Sequence, residues 1–420
     1  MTLPSDHALR VLQVTPVLGP GGAEHVAAYL ACSFSQPGTV ALCSAYGGAY
    51  ARYLRARKVR FAVFEPTWRH LLIRAISSVP VRRRLVSSNS PSAAPDGASR
   101  LPPQRFLLDG VHGFWEWLET LLAVTSYDVV HIHSLSCLGV SRLAKTSDAT
   151  VVYTHHNVLS DRHGPADIAF LGEHLRSIDR VILPSKSSQD DFTRVSGYPE
   201  SSTVVIPSPT FLASGVKRLS GTVQRFGTAS NLQSAKGIDV LLAGWKVFQR
   251  QRPFVRLLIA GGSSRIRAYW TSVANHLGLG SSVRFLGELR SERRIGRFYD
   301  EVDAIVIPSR SEALSLLAIE AMSRGIPVVA SDIPALRQTL GAAGLFFPSE
   351  DSRGLAYVLD QLAEDPGLAV RISSAGYELW RTEFAPDAII SAHRTLYSSI
   401  LPGISAVLAS HQMRSAHGSP

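Results

Sequence analysis

The chain has 420 residues, 45% of them hydrophobic and 18% charged, which is enough apolar material to bury large cores. This composition excludes a globally disordered chain and a disulfide miniprotein, and the length predicts two or three domains. The three cysteines are too widely spaced for a disulfide framework or a Cys-type zinc site, so we expect a reducing compartment. Because no apolar stretch of membrane-spanning length and no secretory signal is found, the sequence predicts a soluble intracellular protein.

The net charge of +10 is concentrated in one segment of the chain. Residues 52–105 contain 12 lysines and arginines and only two acids, Glu65 and Asp96. This local excess predicts one basic surface, and the small number of interleaved aromatic residues argues against nucleic-acid binding. Part of the segment, TWRHLLIRAISSVPVRRRLV, predicts either an arginine-decorated helix packed on its domain or a basic amphipathic patch that contacts anionic lipid.

Short apolar runs alternate with helical runs along the whole chain. In the first half these apolar runs are RVLQVTP, TVALCSA, VRFAVF, DVVHIH, TVVYTH and RVILPS. In the second half they are QRFGT, FVRLLIA, SVRFLG, AIVIPS, PVVAS and GLFFP. Apolar runs joined by helices are typical of βαβ units and of parallel sheets that are buried on both faces. The sequence therefore predicts an α/β protein with two doubly wound halves.

Proline and glycine punctuation indicates where the domains begin and end. The predicted N-terminal domain covers residues 1–206 and includes a basic, Ser/Pro-rich insertion at about 66–105. The predicted C-terminal domain covers residues 207–384. A terminal helix is expected over 385–402, followed by a loose tail over 403–420.

The segment AIVIPSRSEALSLLAIEAMSRGIPVVASD, residues 304–332, carries the strongest chemical signal. A buried strand is followed by a loop, and Ser315 is placed to cap the next helix. Ligands of such folds collect at the carboxyl ends of strands, where a helix N-terminus presents N–H groups to a phosphate. Glu312 and Glu320 bracket this terminus, and a carboxylate accepts hydrogen bonds from a vicinal diol. The alternative for Glu320 is an i,i+4 ion pair with Arg324.

The same segment resembles the E-x7-E signature of the retaining glycosyltransferases of family 4. Further landmarks of that family follow in order, namely GGAEH, DVVHIH, THHN, AKGIDVLL, LLIAGG and VRFLGEL, so the resemblance covers about residues 9–400. It implies the GT-B fold, in which two Rossmann-like doubly wound domains face each other across a cleft. The N-terminal domain would bind the acceptor and the C-terminal domain the nucleotide-sugar donor. The terminal helix would cross back to the N-terminal domain.

The resemblance implies a role for each position that matches the family pattern. The catalytic residues would be His156 near the reacting sugar, Lys236 on the donor diphosphate and Glu312 on the hydroxyls of the donor sugar. His155 is the alternative in register for His156. The donor-binding residues would be Gly21, Gly22, Asn231, Lys236, Glu312, Ser315, Leu316 and Glu320. In this set Glu320 would bind the ribose hydroxyls, and the backbone N–H groups after the loop would contact the phosphates.

The resemblance also implies the reaction and its partners. Such enzymes move a sugar from a nucleotide diphosphate sugar to an acceptor hydroxyl and keep the anomeric configuration. They need no cofactor and no obligatory metal, and the sequence has no D-x-D triplet to hold one. We expect a saccharide or lipid-linked acceptor in polysaccharide, glycolipid or other glycoconjugate biosynthesis. Residues 66–105 would contact an anionic membrane, which predicts a cytoplasmic protein that is peripheral on the cytoplasmic membrane face.

The chain departs from the family pattern at the phosphate-binding loop. Ser230-Asn231-Leu232 stands where the family has G-R-L, and Asn231 cannot supply the guanidinium fork that grips a diphosphate. Arg265 or Arg267 could replace the missing charge. This departure keeps open a catalytically silent member that binds a sugar nucleotide or a partner transferase. A sugar-nucleotide epimerase on the same architecture is the remaining alternative.

Overall fold

The computed structural model describes residues 9–18, 21–64, 114–210, 222–289 and 291–401. The predicted insertion at 66–105 and the predicted tail at 403–420 lie outside these described residues. The membrane-contact hypothesis for the insertion therefore stays a prediction. Within the described ranges, no helix is both long enough and apolar enough to cross a membrane.

The first sheet has seven strands in the order β3-β2-β1-β4-β5-β6-β7. The strands are β1 (Val11–Val17), β2 (Leu42–Tyr46), β3 (Phe61–Val63), β4 (Val129–Ile132), β5 (Thr150–Thr154), β6 (Arg180–Leu183) and β7 (Thr203–Val205). Every residue of β4 and β5 is buried, which suits runs of β-branched side chains in a parallel sheet covered on both faces. The strand order reverses between β1 and β4, which are parallel neighbours.

Helices connect these strands. They are α1 (Gly22–Ser33), α2 (Ala49–Ala56), α3 (Phe114–Val124), α4 (Val140–Thr146), α5 (Leu159–Arg162), α6 (Pro165–Leu175) and α7 (Lys186–Ser196). Helix α7 shows why its ends lie where they do. Ser185 caps its start by accepting a hydrogen bond from the Ser188 N–H at 3.1 Å, and Gly197 ends it with a φ of 67°.

The second sheet has six strands in the order β10-β9-β8-β11-β12-β13. The strands are β8 (Arg225–Ser230), β9 (Arg256–Gly261), β10 (Val283–Gly287), β11 (Ala304–Ile307), β12 (Val328–Ser331) and β13 (Gly344–Phe347). All their pairings are parallel. The reversal of strand order falls between β8 and β11. In open α/β sheets, ligands bind at the carboxyl ends of the strands at such a reversal.

Further helices lie in the second half of the chain, and those that pack on this sheet bury apolar cores on both of its faces. They are α8 (Ile238–Gln251), α9 (Ser264–His276), α10 (Glu292–Glu301), α11 (Leu316–Ser323), α12 (Pro334–Leu340), α13 (Ser352–Glu364), α14 (Pro366–Leu379) and α15 (Pro386–Ser399). One buried core centres on Trp245, whose ring packs edge-on against Phe226 and Phe248 at centroid distances of 5.6 and 5.3 Å. The core on the other face includes Phe298 and Met322. The predicted α/β class with two doubly wound halves is confirmed.

Residue contacts divide the described chain into two compact units. The first takes the described residues of 1–155, 163–182 and 397–420, and the second takes 156–162 and 183–396. Within the first unit, Tyr397 is fully buried, and its hydroxyl forms a 2.7 Å hydrogen bond with Nδ1 of His131. The domain limits predicted from the sequence stay predictions.

Candidate functional site

The two segments that carry the predicted phosphate lysine and the first glutamate lie at the strand-order reversal of the second sheet. Strands β8 and β11 are parallel neighbours, with Phe226 opposite Ala304 and Gly227 opposite Ile305. Their carboxyl ends therefore lie at the same edge of the sheet. The turn that contains Lys236 follows β8, and the loop that leads to helix α11 follows β11.

Lys236 and Glu312 meet at this edge. The ammonium Nζ of Lys236 donates to Oε1 of Glu312 at 2.7 Å, although the two residues are 76 positions apart in the chain. Their side chains are only 18% and 10% exposed, so the pair is sheltered from solvent. The hydroxyl of Ser309 donates to the same carboxylate oxygen at 2.8 Å. This arrangement fixes a cation and a carboxylate side by side at the strand ends.

A glycine lets the lysine turn lie directly against the end of β11. Gly237 has a φ of 61°, in the left-handed region that favours glycine. A Cβ atom at this position would lie 1.9 Å from the carbonyl oxygen of Pro308. Any larger residue must therefore push the turn away from the strand end, and Lys236 with it.

Helix α11 begins next to this pair, as the sequence predicts. Ser315 is its N-cap, and the serine Oγ accepts a hydrogen bond from the N–H of Ala318 at 3.4 Å. Leu316 is the first residue of the helix. The first backbone N–H groups of a helix have no partner within it and carry a partial positive charge. The terminus three residues beyond Glu312 can therefore attract an anion to the place where Lys236 already lies.

Glu320 lies one turn into α11 and is partly buried. Its Oε2 accepts a 2.5 Å hydrogen bond from the hydroxyl of Tyr299 on helix α10. Burial raises the pKa of Glu320 to about 7, against the opposing effects of the Tyr299 hydrogen bond and the nearby Arg324. Arg324 itself pairs with Asp300 at 3.1 Å. The hydrogen-bond partner of Glu320 is thus a tyrosine on another helix.

Asn231 lies in the loop after β8, at the position where the family pattern has an arginine. Its side chain is exposed, and Oδ1 accepts a 3.2 Å hydrogen bond from the N–H of Gln233. The next residue, Leu232, has a φ of 58°, and its carbonyl accepts from Nε1 of Trp270 at 3.0 Å. Asn231 thus supports a tight local turn in the lysine loop.

A cavity of about 440 Å³ lies at the ends of the neighbouring strands β9 and β10. Its lining residues are Gly262, Ser263, Ser264, Arg267, Leu286, Glu288 and Arg294. Ser263 is the N-cap of helix α9, so a second helix terminus belongs to this edge of the sheet. Arg267, one of the two arginines considered as a replacement for the missing charge, is in this lining. Arg265, the other one, is exposed and is not among the lining residues.

The remaining predicted residues follow strands of the first sheet. Gly21 is the N-cap of α1 and Gly22 its first residue, after β1. The carboxylate of Glu24 folds back so far that a Cβ on Gly21 would lie 2.0 Å from it. His156 follows β5, and burial, with a smaller effect of His393, lowers its pKa to about 3. His155 is fully buried and hydrogen bonds through Nδ1 to the Tyr153 hydroxyl at 2.8 Å.

The network around Arg310 was not predicted from the sequence. This arginine sits in the loop between β11 and Glu312, and its guanidinium bonds to Asp239 and Glu350. The only sequence signal was its place inside the matched segment, because arginine is common in this chain. Tyr299, the partner of Glu320, was also missed. Among the described residues, no group of three His, Cys, Asp or Glu side chains is arranged to hold a metal ion.

Two family models match this chain. The model described as "Glycosyltransferase Family 4" matches residues 46–210, and the model described as "Glycosyl transferases group 1" matches residues 223–365. The second range contains Lys236, Glu312 and Glu320. Together the two models cover most of the described chain, and each of them covers strands of one sheet.

Named proteins with similar sequences are glycosyl-transferring enzymes. The chain is 25% identical to the glycogen synthase of Mycobacterium tuberculosis over 284 residues, which are 64% of this chain and 68% of that protein. It is also 25% identical to the D-inositol 3-phosphate glycosyltransferase of Corynebacterium aurimucosum over 334 residues, 71% of this chain and 78% of that protein.

Solved structures show the same fold. The Anabaena Alr3699/HepE structure in complex with UDP-glucose has a TM-score of 0.72 at 18% identity and covers 93% of this chain and 99% of that one. The sucrose-phosphate synthase of Thermosynechococcus elongatus has a TM-score of 0.69 at 20% identity, with coverage of 93% and 99%. At these identities the likeness establishes the fold and not the substrate.

Proposed function

We propose that this chain moves a sugar from a nucleotide diphosphate sugar to an acceptor hydroxyl and retains the anomeric configuration. The chain belongs to the glycosyltransferases of family 4 with the GT-B fold. Sugar transfer itself is the activity that its relatives share. The stereochemistry, the details of the donor site and the acceptor belong to the proposal.

One observation carries the proposed site: Lys236 and Glu312 are joined at the strand-order reversal, beside the N-terminus of α11. A diphosphate needs cationic and N–H donors, which the ammonium and the helix terminus supply. A sugar offers hydroxyl donors, which the Glu312 carboxylate accepts. Glu320, further along the same helix, would accept from the ribose hydroxyls in the same way.

The nucleoside would lie towards the cavity at the ends of β9 and β10. Those strands follow β8 in the sheet, so a nucleotide with its diphosphate at β8 and β11 would extend along one edge towards this cavity. Arg267 and Arg294 there add positive charge on the donor's side of the sheet. Since the HepE structures contain UDP and UDP-glucose, uridine nucleotides are the first donors to test.

The departing nucleoside diphosphate carries negative charge, which something must stabilise. In this proposal Lys236, the first N–H groups of α11 and the dipole of that helix stabilise it, without an obligatory metal or a cofactor. Fixed dipoles and charges act strongly because they need no reorganisation during the reaction. His156, whose low pKa keeps its ring neutral at physiological pH, would lie near the reacting sugar and act as a hydrogen-bonding group.

The test of this activity is turnover with product analysis. Purified protein is incubated with UDP-, GDP- and ADP-sugars and a saccharide acceptor in the presence of EDTA, and nucleotide release and the anomeric configuration of the product are measured by NMR. The proposal predicts turnover of one donor with retention, and loss of turnover in Glu312→Gln. A product with inverted configuration would contradict the proposed retention. Turnover that needs added Mg²⁺ would contradict the proposed independence of metal. A folded protein inactive with every donor would leave the catalytically silent alternative standing.

The acceptor side of the proposal is a saccharide or lipid-linked acceptor at an anionic membrane surface. Five exposed cations, Arg52, Arg55, Arg57, Lys58 and Arg60, lie in the described part of the basic segment. Clustered basic residues bind anionic lipid by about 1 kcal/mol each near the surface. Residues 66–105 contain the other seven cations of the segment, so cosedimentation with phosphatidylglycerol vesicles at low salt should detect binding that deletion of these residues weakens. Equal binding to phosphatidylglycerol vesicles and to neutral vesicles would refute the proposed contact with an anionic membrane.

A further inference from the structure

Arg310 holds the lysine turn from both of its ends. Its backbone N–H donates to the carbonyl of Ala235 at 2.8 Å, and Nη1 donates to the carbonyl of Ser234 at 2.5 Å. On the other side of the turn, Nη1 and Nη2 form a two-pronged pair with Asp239 at 2.9 and 2.7 Å. Nε and Nη2 also bond to Glu350, the latter at 2.8 Å.

These contacts lie on both sides of a three-residue stretch, Lys236–Ile238, that begins with the lysine. Ser234 and Ala235 precede it directly, and Asp239 lies in the first turn of helix α8 that follows it. Arg310 comes from the loop after β11, the strand beside β8, and Glu312 lies two residues further along that loop. Arg310 thus links the lysine turn to the segment that contains Glu312, the partner of Lys236.

We infer that Arg310 is a positioning residue, which fixes the turn so that the Lys236 ammonium meets the diphosphate of the donor. The inference rests on the proposed function. All three guanidinium nitrogens of Arg310 are engaged by protein oxygens, so it acts through Lys236 and not by touching the donor. A misplacement of about 1 Å at such a contact can cost 100-fold in rate, which makes this anchoring significant.

The chemistry of this position favours arginine over lysine. A guanidinium offers five N–H groups in a rigid plane, which can serve two carboxylates and one carbonyl together. An ammonium is a point charge on a flexible stem and cannot hold these groups in one fixed geometry. The side chains are 29% exposed for Arg310 and 52% for Asp239, and pairs this exposed add little to stability. Removal of Arg310 should therefore leave the protein folded.

The chain offers a matched control on the same two strands. Arg225, at the start of β8, forms a two-pronged pair with Asp303, just before β11, at 3.2 and 2.9 Å. This pair lies at the amino ends of strands whose carboxyl ends carry the candidate site. Arg225→Ala therefore removes a similar arginine–aspartate pair without touching the lysine turn.

The experiment is a double-mutant cycle in nucleotide affinity. Isothermal titration calorimetry measures the Kd of whichever of UDP, GDP and ADP binds the full chain most tightly. The proteins are wild type, Arg310→Ala, Lys236→Ala, the double variant, Arg310→Lys and Arg225→Ala. Circular dichroism confirms that each is folded. Because the inferred effect passes through Lys236, it should vanish once Lys236 is gone.

We expect affinity to fall about 10-fold in Arg310→Ala and about 10- to 100-fold in Lys236→Ala. The double variant should match Lys236→Ala within about twofold, Arg310→Lys should recover part of the loss, and Arg225→Ala should change affinity less than twofold. Losses that multiply in the double variant, or an Arg310→Ala affinity equal to that of wild type, would overturn the inference alone. Failure of wild type to bind any of the three nucleotides would overturn the proposed function as well.

Discussion

Replacing Gly237 by alanine tests whether the close fit of the lysine turn against β11 matters for catalysis. The added Cβ would lie 1.9 Å from the carbonyl oxygen of Pro308, where ordinary van der Waals contacts of this kind begin at 3.4 Å. The backbone also has a φ of 61°, which L-residues other than glycine rarely adopt. Alanine at this position is therefore both strained and obstructed.

The structure separates these two effects in magnitude. The left-handed backbone costs an L-residue about 1–2 kcal/mol, and this cost depends on φ and not on the neighbours. Relief of the clash requires the turn to move by about 1.5 Å, the difference between contact and clash distances. A displacement of about 1 Å in a binding group can lower the rate about 100-fold. Gly237→Ala should thus lower kcat/KM at least about 100-fold for the accepted donor.

Gly197→Ala is the matched control. Gly197 ends helix α7 with a φ of 67°, and a Cβ there would meet no atom within 4 Å. Backbone strain should lower the thermal stability of both variants, and the clash should add to this loss in Gly237→Ala, while only Gly237→Ala loses activity. Steady-state kinetics and thermal unfolding of both variants provide the comparison. An equal kcat/KM for the two variants would refute the argument that the turn must lie against Pro308.

Two further predictions follow from the electrostatics and the core. Burial raises the pKa of Glu320 from 4.5 to about 7, so between these pH values the native state keeps a proton that the unfolded state loses. The protonated carboxyl contributes up to about 3 kcal/mol to stability at low pH, and this contribution is lost as the pH rises from 4.5 to about 7. Since ribose hydroxyls bind better to the ionised carboxylate, calorimetry should show nucleotide-sugar affinity increasing between about pH 6 and 8. Glu320→Gln should remove this pH dependence, and a pH dependence that persists in the variant would contradict the role of Glu320. Trp245→Ala should destabilise the second unit by about 3–5 kcal/mol in urea unfolding, because it empties a fully buried site between Phe226 and Phe248. A loss of stability below about 1 kcal/mol would contradict this prediction and show that the core collapses into the space.

The sequence was sufficient to predict the architecture because its apolar runs are short, regular and separated by helical segments. The family resemblance also predicted that Lys236 and Glu312 would both contact the donor. Their 2.7 Å contact followed only from the strand order, which places β8 beside β11 although β9 and β10 lie between them along the chain. Strand order depends on packing between distant segments, and single-sequence patterns carry little information about it.

Side-chain partners were predicted less well than positions. For Glu320 the sequence offered a local alternative, the i,i+4 pair with Arg324, but the structure gives it Tyr299, 21 residues away. Arg310 reaches Asp239, 71 residues away, for a similar reason. Such contacts depend on which helices and loops meet after folding, so no spacing rule along one element can reveal them.

Affinity for nucleoside diphosphates is the most direct test of the central claim, that the edge of the second sheet is a donor site. Calorimetric titration of UDP, GDP and ADP should compare wild type with Glu320→Ala and with Glu378→Ala, which removes an exposed glutamate on α14. If this edge binds the donor, one nucleotide should bind wild type and Glu378→Ala alike, and should bind Glu320→Ala at least about 10-fold more weakly. Equal affinity in all three proteins, or no binding to folded wild type, would contradict it.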